Sequence, residues 1–147
     1  MTKRIGIFLL ALFVLASLLC TANAQAGEKK WEKTVTLPSG KVILDMSGEW
    51  KVLYHCYGYL AGAGDSQDIL TITQEGNKFV AVKQIGNEFM PKGSKSIRGE
   101  LQGDGFKTIQ IKKHMTGWVD CTGKISENGN KVVVDDGESE KATLTRK

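Results

Sequence analysis

The sequence predicts an all-β protein, an eight-stranded antiparallel up-and-down barrel with an extra hairpin at its N-terminal end. Three observations lead to this prediction. After residue 25 no window follows the helical period, short segments of strand-forming residues recur, and glycine-containing turns separate them. Eight consecutive antiparallel strands in an open sheet would leave two long edges exposed, and closure into a barrel removes those edges. A sandwich of two sheets is the alternative architecture.

The start of the chain is typical of a secretory signal peptide. Lys3 and Arg4 form a basic head, residues 5–19 are almost entirely apolar, and residues 22–24 are a small-x-small triplet. We therefore expect cleavage after Ala24 and a periplasmic or secreted protein. A membrane anchor is the alternative, but the apolar run of about 15 residues is shorter than the roughly 20 that a span requires. No stable membrane span is expected in the mature chain.

Three parts follow along the chain: the signal peptide at 1–24, an N-terminal segment with a short hairpin at 25–47, and the barrel at 48–147. Removal of the signal peptide takes away two of the 20 basic residues and none of the 16 acidic residues. The formal net charge of +4 therefore falls by two units. So small a charge does not indicate a nucleic-acid partner.

Turn residues bound each predicted strand. The N-terminal hairpin consists of Thr34–Leu37, a Pro-Ser-Gly turn and Val42–Leu44. The eight barrel strands are predicted, in chain order, at Glu49–Tyr57, Asp68–Gln74, Lys78–Ile85, Ser96–Gln102, Phe106–Lys113, Gly117–Ser126, Lys131–Asp136 and Glu140–Arg146.

Alternation of apolar and polar residues supports most of these strands, because a half-buried strand has a side-chain period of two. In the first strand this period places Trp50, Val52, Tyr54 and Cys56 on the inner face. The third and seventh strands are apolar on both faces, so their orientation stays open. The other predicted interior residues are Leu70, Ile72, Ile97, Leu101, Ile109, Ile111, Val119, Ile125 and Leu144.

The connections differ between the two ends of the predicted barrel. Residues 75–77, 103–105 and 127–130 are tight turns with the Gly or Asn that a positive φ requires. At the other end the connections at 58–67 and 86–95 are long. Those long loops carry the apolar residues Tyr59, Leu60, Phe89 and Met90. We therefore expect one closed end and one open end.

The beginning of the first barrel strand resembles a known signature. Gly48 and Trp50 match the Gly-x-Trp motif that opens the first strand of lipocalins and related calycin barrels. The stretch Leu70–Phe79 looks like the second hairpin of small bacterial lipocalin-like domains, and the resemblance covers residues 44–147. It implies a lipocalin-like barrel in which Arg146 packs across Trp50 and closes the barrel base, a favourable cation–π contact.

Two cysteines remain after the signal peptide is removed. An even number in an oxidising compartment predicts a disulfide between Cys56 and Cys121. Two buried free thiols are the alternative. The prediction meets a geometric difficulty, because the predicted first and sixth strands are not neighbours and a disulfide needs Cα atoms within about 7 Å. His55 and His114 are the only histidines, and without a ligand spacing we expect no metal or other cofactor.

Two functions stay open, and neither is enzymatic. No nucleophile elbow, zinc-protease helix or phosphate-binding loop is present, and no catalytic residue is predicted. One function is binding of a small apolar or amphipathic ligand at the open end of the barrel. The ligand-binding residues predicted for it are Tyr54, Tyr59, Leu60, Phe89, Met90, His114 and Met115. The other is a periplasmic protein-binding barrel that inhibits a protease or lysozyme with residues 25–47.

The barrel interior separates the two functions. Eight strands enclose a space that is either filled by side chains or just able to hold one small ligand. A connected cavity is required for ligand binding, whereas an N-terminal hairpin packed firmly on the barrel would count against insertion into a target protein. The sequence leaves open whether the interior is a cavity or is filled.

Overall fold

A computed structural model describes residues 31–147. The predicted signal peptide at 1–24 and the first residues of the N-terminal segment, 25–30, lie outside the described residues. Between residues 31 and 147 no helix combines the length and the apolar character needed to cross a membrane.

The described chain is built almost entirely from β-strands. The strands are β1 (Thr34–Thr36), β2 (Val42–Leu44), β3 (Gly48–Cys56), β4 (Ser66–Glu75), β5 (Lys78–Lys83), β6 (Lys95–Gln102), β7 (Gly105–Lys113), β8 (Gly117–Asp120), β9 (Thr122–Ile125), β10 (Lys131–Asp135) and β11 (Glu140–Arg146). One short 3₁₀-helix, Gly58–Ala63, connects β3 to β4.

Nine of these strands form a single antiparallel sheet in the order β8-β7-β6-β5-β4-β3-β11-β10-β9. Its two outermost strands, β8 and β9, are consecutive in the chain, so the sheet curls round into a nearly closed barrel. The strands β1 and β2 form a separate two-stranded hairpin. The predicted all-β barrel with an N-terminal hairpin is confirmed.

One predicted strand is divided in two. The sequence predicts a continuous strand over Gly117–Ser126, whereas the structure has β8 and β9 separated by Cys121. The reason is a change of partner: β8 pairs with β7, and β9 pairs with β10. At the break the backbone N–H of Cys121 donates to the carbonyl of Ile109 on β7, at 2.9 Å. The barrel therefore has nine strands instead of the predicted eight.

The structure fixes the orientation of the two strands that are apolar on both faces. In β5 the buried positions are Phe79, Ala81 and Lys83, and in β10 they are Val132 and Val134. Lys83 is thus the last of three inward positions at the period of two. A charged side chain therefore lies inside the barrel, although no charged residue was among the predicted interior residues.

A β-bulge in β6 adds a second polar residue to the interior. Ala81 pairs with Ile97 and Val82 pairs with Lys95, so Ser96 has no partner across the ladder. Both Ser96 and Ile97 are buried, although neighbouring strand residues ordinarily face opposite sides of a sheet. The bulge turns the Ser96 side chain towards the inside.

The half of the barrel that contains the start of β3 is filled by apolar side chains. Of the predicted interior residues, only Cys56, Val119 and Ile125 are half-buried instead of buried. The buried core consists of Ile43, Leu44, Met46, Trp50, Val52, Tyr54, Leu70, Ile72, Phe79, Ala81, Ile97, Leu101, Ile109, Ile111, Val132, Val134, Ala142 and Leu144. We call the filled half the closed end.

The N-terminal hairpin covers the closed end. The side chains of Ile43, Leu44 and Met46 are fully buried in the common core. The side chain of Gln74 holds this segment in place, because its Oε1 accepts from the N–H of Met46 at 2.6 Å and its Nε2 donates to the carbonyl of Leu44 at 3.2 Å. Residues 42–46 are thus an integral part of the core.

The residues expected to close the barrel base lie together at this end. Gly48 has a φ of 114°, a conformation that favours glycine, and Trp50 is fully buried two residues later. The guanidinium carbon of Arg146 lies 4.3 Å from the centroid of the Trp50 ring. Arg146 also donates to the carbonyls of Asp45 and Ser47, so it joins the end of β11 to the segment before β3.

Candidate functional site

A cavity of about 610 Å³ opens at the end of the barrel opposite the N-terminal hairpin. Its volume lies within the range of roughly 300–1,000 Å³ that is usual for small-molecule sites. The interior is therefore filled at one end and hollow at the other. All seven predicted ligand-binding residues line this cavity: Tyr54, Tyr59, Leu60, Phe89, Met90, His114 and Met115. Their role in binding stays a prediction.

Three polar residues form the deepest part of the cavity. Tyr54, Lys83 and Ser96 are only 5%, 6% and 1% exposed, whereas the other residues that line the cavity are half-buried or exposed. They come from the ends of β3, β5 and β6 nearest the opening. We call these three residues the floor of the cavity.

Lys83 forms a buried ion pair with Asp68 on β4. The distance from Lys83 Nζ to Asp68 Oδ2 is 3.3 Å, and Nζ also lies 4.4 Å from the centroid of the Tyr54 ring. The Asp68 carboxylate accepts further hydrogen bonds from the N–H groups of Ile69, Ile85 and Gly86. Burial acts against ionisation, but these N–H groups and Lys83 hold the pKa of Asp68 below its usual value.

The two hydroxyl groups of the floor, those of Tyr54 and Ser96, interact with each other. Neither forms a hydrogen bond of regular geometry with any described residue, and both oxygen atoms are inaccessible to solvent. Burial raises the pKa of Tyr54, so this hydroxyl keeps its proton and can donate. Buried polar groups are usually paired, and leaving one unpaired costs about 1–3 kcal/mol. The floor therefore has unused hydrogen-bonding capacity.

Apolar side chains surround the opening. Tyr59, Phe89 and Met115 are 70%, 58% and 87% exposed, which is unusual for large apolar side chains. Tyr59 lies on the 3₁₀-helix. The centroid of the His114 ring lies 5.5 Å from the centroid of the Phe89 ring. We call Tyr59, Leu60, Phe89 and Met115 the rim of the cavity.

The loop that carries Phe89 is held by specific contacts. The side-chain oxygen of Asn87 accepts from the N–H groups of Phe89 and Met90, at 3.0 and 2.7 Å. Gly86 has a φ of 76°, and a Cβ atom there would lie 2.2 Å from the backbone nitrogen of Lys92. Only glycine fits this position. The rim is thus positioned by its own turn chemistry.

A second ion pair forms part of the cavity wall. Lys113 Nζ donates to the carboxylate of Asp136 and, at 2.6 Å, to Oγ of Ser139. Burial opposes ionisation of Asp136, but Lys113 and three backbone N–H groups lower its pKa. Burial raises the pKa of the neighbouring Glu140, which also lines the cavity. Glu140 is the only acidic residue among the lining residues.

The predicted disulfide is wrong. Cys56 and Cys121 are both free thiols. The strand order gives the reason, because Cys56 ends β3, whose neighbours are β4 and β11, whereas Cys121 is hydrogen-bonded to β7. Cys56 lines the cavity, and Cys121 packs against the core. Burial raises the pKa of Cys56 and raises that of Cys121 to about 11.

The acidic residues and histidines form no cation site within residues 31–147, where no group of three or more His, Cys, Asp or Glu side chains is arranged around a common point. His55 pairs with Asp65 at 2.7 Å on the surface.

Asp68, Lys83 and Ser96 were not predicted as site residues. The only signal for Lys83 was that it continues the period of two begun by Phe79 and Ala81. No pattern in the sequence marked Ser96, because the bulge reverses its direction.

Comparison with protein-family models, curated proteins and solved structures gives no significant match to this chain. Its affiliation therefore depends on its own architecture. That architecture is an all-β, nearly closed antiparallel barrel, which is compatible with a lipocalin-like fold.

Proposed function

We propose that the protein belongs with the lipocalin-like barrels and binds a small apolar or amphipathic molecule in its cavity. The observation that carries this proposal is the cavity of about 610 Å³ with an apolar rim above a buried polar floor. Apolar walls with a few convergent polar groups are the usual form of small-molecule sites. With the expected signal peptide, the site of action is the periplasm or the extracellular space.

The exposed rim supports binding. Tyr59, Phe89 and Met115 hold large apolar surfaces in solvent around one opening, and such clusters are uncommon on proteins that bind nothing. A ligand seated in the cavity would cover part of this surface. Each Å² of apolar surface removed from water contributes roughly 25 cal/mol.

We propose binding without catalysis because the two carboxylates with the most buried side chains are engaged and Glu140 is a single carboxylate at the cavity. Asp68 accepts from three backbone N–H groups and Lys83, and Asp136 accepts from Lys113 and neighbouring backbone. A carboxylate that already accepts several hydrogen bonds and has a lowered pKa is a poor proton acceptor, and this holds for both Asp68 and Asp136.

Inhibition of a protease or lysozyme is less well supported. That function requires the N-terminal segment to reach into a target. In this barrel Ile43, Leu44 and Met46 are fully buried in the core, and Arg146 binds the carbonyls of Asp45 and Ser47. Residues 42–47 could leave the barrel only by unpacking its closed end.

Native mass spectrometry of the protein purified from its own host tests the proposal directly. A retained small-molecule mass supports ligand binding, whereas a co-purified protein supports the inhibitor.

A fluorescence titration with the neutral probe N-phenyl-α-naphthylamine gives an independent measurement. Phe89 and Ile85 are exposed apolar residues of the same loop, but only Phe89 lines the cavity. We expect Phe89→Ala to weaken binding roughly fivefold or more and Ile85→Ala to leave it unchanged. Equal effects of both substitutions, or no binding by the wild type, would contradict a site in this cavity.

A further inference from the structure

We infer that the ligand is an amphipathic monocarboxylate that enters carboxylate first, so that its charged group contacts Tyr54, Lys83 and Ser96 at the floor. The apolar body of the ligand then lies against the rim. This inference rests on the proposed function and goes further by naming the chemical class and the orientation of the bound molecule.

The floor offers hydrogen-bond donors. The ammonium group of Lys83 has three N–H donors and cannot accept, and the hydroxyls of Tyr54 and Ser96 each have one O–H to donate. The two hydroxyls interact with each other without a regular hydrogen bond and have no other partner among the described residues. Both oxygen atoms are covered by neighbouring atoms, so these side chains must shift slightly when a carboxylate enters. A carboxylate has no donor and about four acceptor positions, so one such group can satisfy all three side chains at once.

Asp68 does not use up the capacity of Lys83. Their 3.3 Å contact is longer than the 2.7–2.9 Å of a strong charge-assisted hydrogen bond. Asp68 also accepts three backbone N–H bonds, from residues that do not line the cavity, so its charge is not stabilised by Lys83 alone. Lys83 therefore keeps N–H groups for a second acceptor, and the ring of Tyr54 keeps its ammonium beside the floor.

The charge distribution also favours an anion. Of the lining side chains, Lys83, Lys112 and Lys113 are cationic, and Glu140 alone is acidic. Glu140 pairs with Cys56, whereas Tyr54 pairs with Ala142, so Glu140 lies one inward position nearer the opening than the floor. A carboxylate at the floor is thus placed beside Lys83 and beyond Glu140.

The reverse orientation leaves the floor unsatisfied. If the charged group stayed at the opening near Lys112, the apolar body would cover the Lys83 ammonium, and the two hydroxyls would gain no acceptor. Burial of polar groups under an apolar chain without a hydrogen bond is unfavourable. Entry with the carboxylate first removes this cost.

Competition against N-phenyl-α-naphthylamine with dodecanoate and dodecanol, which share one apolar chain, tests the inference. The first variant is Tyr54→Phe/Ser96→Ala, which removes the two hydroxyls and keeps the aromatic ring and the Cβ atom. A matched pair, Lys83→Gln and Lys112→Gln, makes the same change at the floor and at the opening.

We expect dodecanoate to bind the wild type roughly tenfold more tightly than dodecanol, because hydrogen bonds to a charged group are the stronger ones. The double variant should weaken dodecanoate roughly tenfold or more and the neutral probe by less than about threefold. Lys83→Gln should likewise weaken dodecanoate binding, and Lys112→Gln, which removes a solvent-screened charge at the opening, should weaken it by a smaller factor. If Lys83→Gln does not fold, the double variant still decides.

The outcomes separate the inference from the proposed function. Equal affinity for dodecanoate and dodecanol, an unchanged affinity of the double variant, or a larger effect of Lys112→Gln would overturn the inference while the probe still binds. Failure of the wild type to bind the probe and both chain compounds would overturn the proposed function itself.

Discussion

The two ends of the barrel use the same strands for different purposes. On β3 the inward residues Trp50 and Val52 are packed in the filled core of the closed end, and Tyr54 and Cys56, farther along, line the cavity. The side-chain period of two continues unchanged along the strand. The two ends differ in what these inward residues face. At the closed end they face apolar neighbours and the N-terminal hairpin, and at the open end they face the cavity.

This difference separates the part of the barrel that stabilises the fold from the proposed binding site. At the closed end large side chains exclude water, and the hairpin adds Ile43, Leu44 and Met46 to the core. At the open end two hydroxyls lack regular hydrogen bonds and large apolar side chains remain in solvent. The exposed rim can therefore vary at little cost to folding, whereas the buried ion pairs Lys83–Asp68 and Lys113–Asp136 at the same end cannot. Substitutions at matched positions test this division.

The largest effect is expected for Trp50→Ala. Trp50 is fully buried, donates from Nε1 to the carbonyl of Met46 at 2.8 Å and packs under Arg146. Truncation of a buried Trp removes about 3–5 kcal/mol from the free energy of unfolding. Tyr59→Ala, an aromatic truncation at the exposed rim, should cost no more than about 0.5 kcal/mol. Urea unfolding of both variants measures the contrast, and similar losses would show that the ends are not separate.

Asp136→Asn should come next, with a loss of about 3 kcal/mol at neutral pH, because Lys113 would lose its buried counter-charge. Asp136 has a lowered pKa in the folded state, so its contribution is present above the unfolded value of about 4 and is lost as the pH falls below it. The difference between wild type and variant in urea unfolding should therefore narrow below about pH 4. Exposed Glu138→Gln serves as the control, and a difference independent of pH would contradict the ionised pair.

Arg146→Gln should cost about 2 kcal/mol at the closed end. The substitution removes the charge-assisted bonds to the carbonyls of Asp45 and Ser47 and the contact with Trp50. Lys147→Gln breaks only an exposed pair with Glu49 and should cost less than about 0.5 kcal/mol. Thermal or urea unfolding distinguishes the two, and equal losses would assign Arg146 no special role in closing the base.

The smallest effect is expected on addition of a reductant. Because both cysteines are free, dithiothreitol should leave the urea midpoint unchanged, and the unfolded chain from residue 25 onward should take up two alkyl groups without prior reduction. In the folded protein Cys56, which lines the cavity, should be alkylated before Cys121, whose burial raises its pKa to about 11. A mass that is about 2 Da low before reduction would reinstate a disulfide.

The sequence was sufficient to predict the architecture and the end of the barrel at which apolar loop residues lie. Strand alternation and glycine turns identified the barrel, and the unequal loops located Tyr59, Leu60, Phe89 and Met90 at one end. Such features are local, because a strand or a turn is specified by residues close together in the chain.

Of the floor, only Tyr54 could be predicted, because the positions of Lys83 and Ser96 depend on pairing between strands. Ser96 faces inwards through a bulge relative to β5, and Lys83 is tolerated inside because Asp68 lies on the adjacent β4. The disulfide prediction failed for the same reason: a count of cysteines carries no information about which strands are neighbours. The break at Cys121 could not be predicted either, because the alternation of residues continues from β8 through Cys121 into β9.

Because of the break at Cys121, no hydrogen-bonded ladder runs continuously around the barrel that the described strands form. Towards the opening β8 is bonded to β7 and not to β10, and towards the closed end β9 is bonded to β10 and not to β7, within the sheet formed by the described strands. At each level one gap in the ladder remains. The circumference is thus set by side chains instead of a continuous ladder. At the closed end the apolar core sets it, and near the opening the Lys113–Asp136 pair joins β7 to the end of β10 across the gap.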